Sequence, residues 1–199
     1  MRSSFVRDDH PRWFQLHAIE ARIGERPAQA LFACLNGLIS IGILAALARS
    51  THLKTIFPSL GPTAFLLFYT PLAPAASPRN TILGHLVGVL CGYGALVLFG
   101  LTDAGPTSET GVNLARVGAA ALSLAATAGL MVLFRVEHPP AGATTLIVSL
   151  GLIRKPADLL VLMVAVSLLC VQGVVINRLA GIPYPIWRKS PEPVKAPVP

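Results

Sequence analysis

Phe57-Pro58-Ser59-Leu60-Gly61-Pro62-Thr63-Ala64-Phe65-Leu66 reads as a proline-broken start to an apolar helix. His138-Pro139-Pro140-Ala141-Gly142-Ala143-Thr144-Thr145-Leu146-Ile147 repeats the pattern 81 residues later. Both give Pro-x-x-Gly-x-Thr and then apolar residues. They open runs of about 15 residues, roughly 57–71 and 139–153, which at about 1.5 Å per residue reach only about 22 Å. A hydrocarbon core takes about 20 helical residues. The two runs are therefore stubby spans, or helices preceded by a non-helical dip into the protein.

Working outward, four stretches are long enough to cross, approximately 28–48, 80–101, 112–134 and 157–177. The offset of 81 lays 28–48 roughly over 112–134 and sets Lys54 opposite Arg135, each four residues ahead of its proline. The chain divides into two units of long, short and long helix, about 28–101 and 112–177. With three crossings per unit, an odd number, the second lies upside down relative to the first. The expected fold is an all-α membrane protein: a helical bundle of four long transmembrane helices plus two short or re-entrant helices, arranged as two inverted three-helix repeats. Chance is the competing explanation of the repeat, since the chain holds 17 prolines and 17 glycines.

Composition agrees. Of 199 residues, 53% are hydrophobic and 13% charged, about half the charged share of a soluble domain, and mean hydropathy is +0.65. The net charge of +7 is dispersed around apolar segments and forms no single face, which excludes a nucleic-acid partner. Cys34, Cys91 and Cys170 fall in different apolar stretches and suit neither a disulfide framework nor a metal site. The 27-residue polar leader is too long for a cleaved signal, so the first apolar run is a transmembrane helix.

Residues 1–27 form a cytoplasmic N-terminal segment, amphipathic over Arg12–Ile23 with Trp13, Leu16, Ile19 and Ile23 at helical spacing, lying on the membrane or flapping over the bundle. Residues 28–178 form the transmembrane domain, and the proline-rich 179–199 an extended, disordered tail. If all six runs cross, one side holds Arg2, Arg7, Arg12, Arg22, Arg26, Arg79, Arg135, Arg178, Arg188, Lys189 and Lys195. The other holds Arg49, Lys54, Arg154 and Lys155, with Arg116 just inside a helix start. That bias places both termini in the cytoplasm of a multi-pass protein of the cell membrane, the bacterial inner membrane. Four crossings plus two re-entrant helices weaken the bias without excluding that topology.

Proline is tolerated where a helix starts, so Pro58 and Pro139–Pro140 mark the starts of the short helices. Gly61 and Gly142 permit close approach, and Thr63 and Thr144 offer hydroxyls in the first turns. Helix starts favour anions, and two starts from opposite faces aim at a shared midplane site. Lys54 and Arg135 stand at opposite mouths as an anion funnel; as the alternative they anchor at headgroups. His85 and His138 are the ionisable candidates at depth and a possible proton relay. Their plainer roles are a helix–helix hydrogen bond for His85 and a cap on the Pro139 helix for His138. Glu137 can pair with Arg135. Gly84, Gly88 and Gly92 form a stripe for close helix contact, inside the chain or in a homo-oligomer. No nucleophile–base or carboxylate pair is evident, so no catalytic residue, cofactor or metal is expected and the protein is not expected to be an enzyme.

The run Glu137–Ile147 resembles the signature of the HPP family of integral membrane proteins. Leu60-Gly61-Pro62-Thr63-Ala64, and Ser77-Pro78-Arg79-Asn80 leading to Gly84-His85, support the resemblance in family order. It implies four membrane helices and, from plant and cyanobacterial members, nitrite transport. The expected function is a small-anion transporter or channel, most simply for nitrite, whose partners are the lipid bilayer and a small inorganic anion. The alternatives are a non-conducting binding, structural or sensor module, or a channel for a neutral or cationic solute.

Overall fold

The computed structural model describes residues 15–53 and 55–188. Lys54, the Arg12–Phe14 part of the amphipathic segment and the tail from 189 onward lie outside the described residues. All described regular structure is helical: α1 Leu16–Ile23, α2 Glu25–Thr51, α3 Leu60–Tyr69, α4 Pro78–Leu98, α5 Thr107–Thr110, α6 Leu114–Leu133, α7 Pro140–Ser149 and α8 Pro156–Leu179, with a 3-10 turn at Pro74–Ala76. Among the described residues, α2, α4, α6 and α8 are long and apolar enough to cross a membrane.

Local chemistry fixes these bounds. Ser77 caps α4 by accepting from the Asn80 N–H at 3.4 Å, with Pro78 in the first turn. Asn113 caps α6 through the Arg116 N–H at 2.9 Å. At their far ends α4 and α8 close alike: Leu101 N–H donates to Leu96 O and Ile182 N–H to Asn177 O, around Gly100 and Gly181 at φ 65° and 81°. Glycine adopts that left-handed turn without a Cβ penalty. At the end of α6 the same turn falls on Arg135, at φ 53°.

Printed contacts trace the path. Thr55 Oγ1 donates to Leu44 O at 2.7 Å, and the Phe32 and Phe68 rings lie 6.3 Å apart. The chain from 55 to 69 thus runs back along α2. His138 abuts Gly84, Ala141 abuts Gly88 and Val148 abuts Gly92, so α7 runs parallel to α4. One end of the bundle gathers the starts of α1 and α4 and the ends of α6 and α8: Leu16 N–H donates to Ala180 O at 3.0 Å, and the Arg79 guanidinium to Arg135 O at 2.7 Å. The other end gathers the start of α6 and the end of α7, where Arg116 donates to Ser149 O at 3.1 Å and Gly105 O at 2.6 Å. Ten residues of α-helix cover only about 15 Å. Each short pass is therefore completed by an irregular lead, 55–59 before α3 and 134–139 before α7. The chain passes the bundle six times, four times on long helices.

The glycine stripe is spent inside the chain. A Cβ on Gly84, Gly88 or Gly92 would stand 2.7–2.8 Å from His138 Cβ, Ala141 O or Val148 Cβ, which lets α7 lie directly on α4. A related contact joins the other pair: Gly173 of α8 faces Leu67 of α3, its ideal Cβ 3.3 Å from Leu67 Cδ1. Gly92 and Gly173, like Leu67 and Val148, are 81 residues apart. Each short helix thus docks on the last long helix of the other unit. By contrast α2 buries only Ala28, Ser40 and Leu44 and exposes Leu31, Leu35, Leu38, Ile39 and Ile43, a face suited to lipid.

The sequence reading assigns everything after 178 to a disordered tail, and the described part departs from it. Tyr184 is fully buried and its hydroxyl donates to Ala76 O at 2.5 Å; burial pushes this phenol far above its usual range. Arg178 Nε donates to Tyr184 O at 3.0 Å, and Arg79 N–H to Trp187 O at 3.0 Å. Prolines forbid helix here, but one aromatic anchor and three backbone acceptors hold the segment to the bundle.

Candidate functional site

Four side chains from four parts of the chain meet in the solvent-excluded interior: Thr63 of α3, His85 of α4, Thr144 of α7 and His138 from the lead into α7. Thr63 and Thr144 are the threonines of the two Pro-x-x-Gly-x-Thr motifs. His85 bridges them, with Nε2 3.0 Å from Thr63 Oγ1 and Nδ1 2.7 Å from Thr144 Oγ1. Thr63 Oγ1 also lies 3.2 Å from His138 Nε2, and His138 Nδ1 lies 2.7 Å from Ala75 O. The two rings tilt at 55°, with centroids 5.0 Å apart.

With both rings neutral, one assignment of the protons pairs every imidazole nitrogen, Thr63 turning its hydrogen from Ser59 O, 2.9 Å away, to His138. Ala75 O can only accept, so His138 Nδ1 carries hydrogen and, in the neutral ring, Nε2 accepts. Only Thr63 can donate to that Nε2. His85 must then give its Nε2–H to Thr63, and accept at Nδ1 from Thr144. Thr144 to His85 to Thr63 to His138 to Ala75 is a single donor-to-acceptor chain with no member left unpaired. Every step crosses between different segments.

Other expected site residues lie elsewhere. Pro58, Gly61 and Pro139 are exposed, Pro140 is buried and Gly142 is half-buried. Pro58 lines an open apolar groove of about 440 Å³ with Phe57, Ile147 and Ile153. Gly61 faces open space, and Gly142 meets only Leu124, so neither serves a close backbone approach. The helix starts also offer few donors. At α7, Pro139 and Pro140 have no N–H, while Ala141 and Gly142 donate to His138 O at 2.9 Å and Pro139 O at 3.0 Å. At α3, Leu60 N–H is bonded to Phe57 O and Thr63 N–H to Ser59 O, and Pro62 has none. In the first turn of α3 the remaining donor is the Gly61 N–H, exposed and outside the buried cluster. The buried polar groups at the ends of the two motifs are thus hydroxyls and imidazoles, with few free helix-start amides beside them.

Of the funnel pair, Lys54 lies outside the described residues. Arg135 is exposed at the end of α6, and no hydrogen bond or ion pair joins it to Glu137. The ring of His138 does not cap α7; its backbone carbonyl does that work. Thr81, one turn before His85 and 3.5 Å from His138 Nδ1, was not anticipated as a site residue, though its i, i+4 spacing on one helix face was legible. Nor was Arg116. Only 1% exposed, it holds the carbonyl end of α7 under the loops around Ala104 and Gly151, where cationic donors complement the helix dipole.

A family model described as HPP, transmembrane region, matches residues 24–185. Two curated transmembrane proteins of Dictyostelium discoideum are similar. One is 28% identical over 108 residues, covering 54% of this chain and 34% of that protein. The other is 33% identical over 117 residues, covering 57% and 34%. The chain spans about a third of the length of these relatives. No solved structure matches.

Proposed function

The chain belongs to the HPP transmembrane family, and from that premise we propose that it is a membrane transporter or channel for a small inorganic anion, nitrite first among candidates. The observation that carries the reading is the meeting of Thr63 and Thr144 on one buried histidine, His85. Equivalent motif positions of two units converging at mid-bundle is how repeat-built transporters make their sites. Buried polar groups at membrane depth are costly and mark function. The units would then be inverted repeats, consistent with the exchanged Gly92–Val148 and Gly173–Leu67 contacts. An anion would replace hydrogen bonds inside the cluster, accepting from Thr144 and from imidazole N–H. The observed arrangement, sealed and internally satisfied, corresponds to the closed state of such a path.

The end of the bundle bearing Arg22, Arg26, Arg79, Arg135, Arg178 and Arg188 reads as cytoplasmic in a cell membrane. Enzymatic activity is not part of the proposal: the Thr63 hydroxyl on His138 Nε2 is taken here as a binding group, and no carboxylate joins the cluster. The test is uptake by purified protein in liposomes, with nitrite, nitrate and formate as anions and urea as a neutral control. Nitrite uptake above empty vesicles, exceeding urea uptake, supports the reading. Absence of flux for every anion rejects it in favour of a non-conducting module, and urea passing as fast as nitrite favours a neutral-solute channel.

A further inference from the structure

We infer that each anion crosses together with one proton, bound at His138 Nε2, so that transport is electroneutral. The inference rests on the anion reading above and names the coupling of that same site.

No fixed positive charge among the described residues touches the cluster. Among the described residues, the side chains bonded to Thr63, His85, His138 and Thr144 are one another's hydroxyls and imidazoles, and that of Thr81. Arg79 and Arg135 sit at one end of the bundle, bonded to or contributing backbone carbonyls. Arg116 and Arg154 sit at the other, both donating to Ala104 O. The remaining described ionisable groups near the cluster bring no fixed cation. From α8 comes the Cys170 thiol beside Thr81, and beyond α8 the Tyr184 phenol on Ala76 O. The lead into α7 carries Glu137, exposed, with Asn80 Nδ2 on its backbone carbonyl. Around the cluster, α3, α6 and α7 contribute only hydroxyls and apolar groups. An anion brought here alone would be an uncompensated charge at membrane depth, which burial away from water strongly disfavours.

The cluster has a place for the compensating proton. Thr63 Oγ1 stands 2.9 Å from Ser59 O as well as 3.2 Å from His138 Nε2. With His138 neutral, the Thr63 hydrogen points to Nε2. When a proton binds at Nε2, that nitrogen becomes a donor, and the Thr63 O–H turns to Ser59 O. Thr63 then accepts from both imidazoles with its two lone pairs and donates once, so every group is again satisfied. One hydroxyl rotation separates the two states, and no backbone moves. With centroids 5.0 Å apart, the rings resist a second charge, so the pair titrates as a unit taking one proton. Release to the far side reverses the sequence: Nε2–H breaks, the proton leaves with the anion, and Thr63 turns back.

The experiment uses full-length protein in liposomes, with nitrite as the probe, an internal pH dye, and potassium with valinomycin to set the potential. Empty vesicles subtract passive entry of nitrous acid. Uptake driven by an inward proton gradient at zero potential, with one proton per nitrite and no response to an imposed potential of either sign, supports the inference. His138→Gln, which hydrogen-bonds but does not titrate in this range, should lower gradient-driven uptake by at least about tenfold. The wild-type voltage measurement stands if this variant fails to fold. Nitrite flux that follows the potential and ignores the proton gradient overturns proton coupling while leaving anion transport intact. Absence of flux for any anion removes both.

Discussion

Thr63 and Thr144 occupy the same step of their short helices, yet Thr63 touches two imidazoles and Thr144 one. The difference comes from the residue ahead of the proline. The second unit has His138 there and the first has Phe57, which is buried in the apolar core. His85 likewise has no counterpart: 81 residues on stands Val166, fully buried. The two motif regions share the spacing of proline, glycine and threonine and divide the chemistry unequally.

The docking of the short helices shows the same inequality, and the largest expected effect lies there. Gly88→Val would drive Cβ to 2.7 Å from the Ala141 backbone oxygen, which cannot retreat without α7. Overpacking against backbone falls at the upper end of the usual range, about 3 kcal/mol, so the variant should elute as aggregate on size exclusion in detergent. Gly173→Ala, in the dock of α3 on α8, meets the tip of Leu67 at 3.3 Å and otherwise makes ordinary contacts at 3.8 Å with Leu67 Cβ and the Tyr184 hydroxyl. Its melting temperature should stay near wild type, with helix propensity of up to about 1 kcal/mol offsetting the crowding. Equal damage from both would erase the contrast between the docks.

Thr63→Val comes next. It strands His138 Nε2 and the His85 N–H, each costing about 1–3 kcal/mol, and should lower the thermal midpoint visibly. Thr144→Val strands only His85 Nδ1, for about 1–2 kcal/mol. A larger loss from Thr144→Val than from Thr63→Val would contradict the placing of Thr63 at the hub. The smallest effect is a gain. Arg135 holds a left-handed turn at φ 53° where the ends of α4, α7 and α8 have Gly100, Gly151 and Gly181. Arg135→Gly should therefore raise stability by about 1 kcal/mol, measured by thermal unfolding. A fall would mean that the Arg135 side chain supports the fold.

The four long helices and two short ones were legible because apolar run length and proline punctuation are local signals. The motif threonines were legible as a pair. Their meeting on His85 was not, because nothing in Gly84-His85 says which helices lie opposite; only the close dock of α7 on the glycine stripe does. The scarcity of helix-start donors could have been read, since Pro139, Pro140 and Pro62 visibly delete them. Docking of residues 180–188 was hidden because prolines report the absence of helix, whereas the anchor is the single ring of Tyr184 landing beside Ala76.

The central claim is that the two motif threonines serve one site through His85. The most direct measurement is nitrite uptake by liposomes carrying Thr63→Ser, Thr63→Val, Thr144→Val and the double valine variant, each checked for folding by size exclusion. Thr63→Ser should keep its uptake. Each single valine should lose about tenfold or more, about 1.4 kcal/mol, and the double variant little more than the worse single, because both cut the same chain. Valine variants that fold and transport at the wild-type rate, or losses that multiply as if at separate sites, would contradict it.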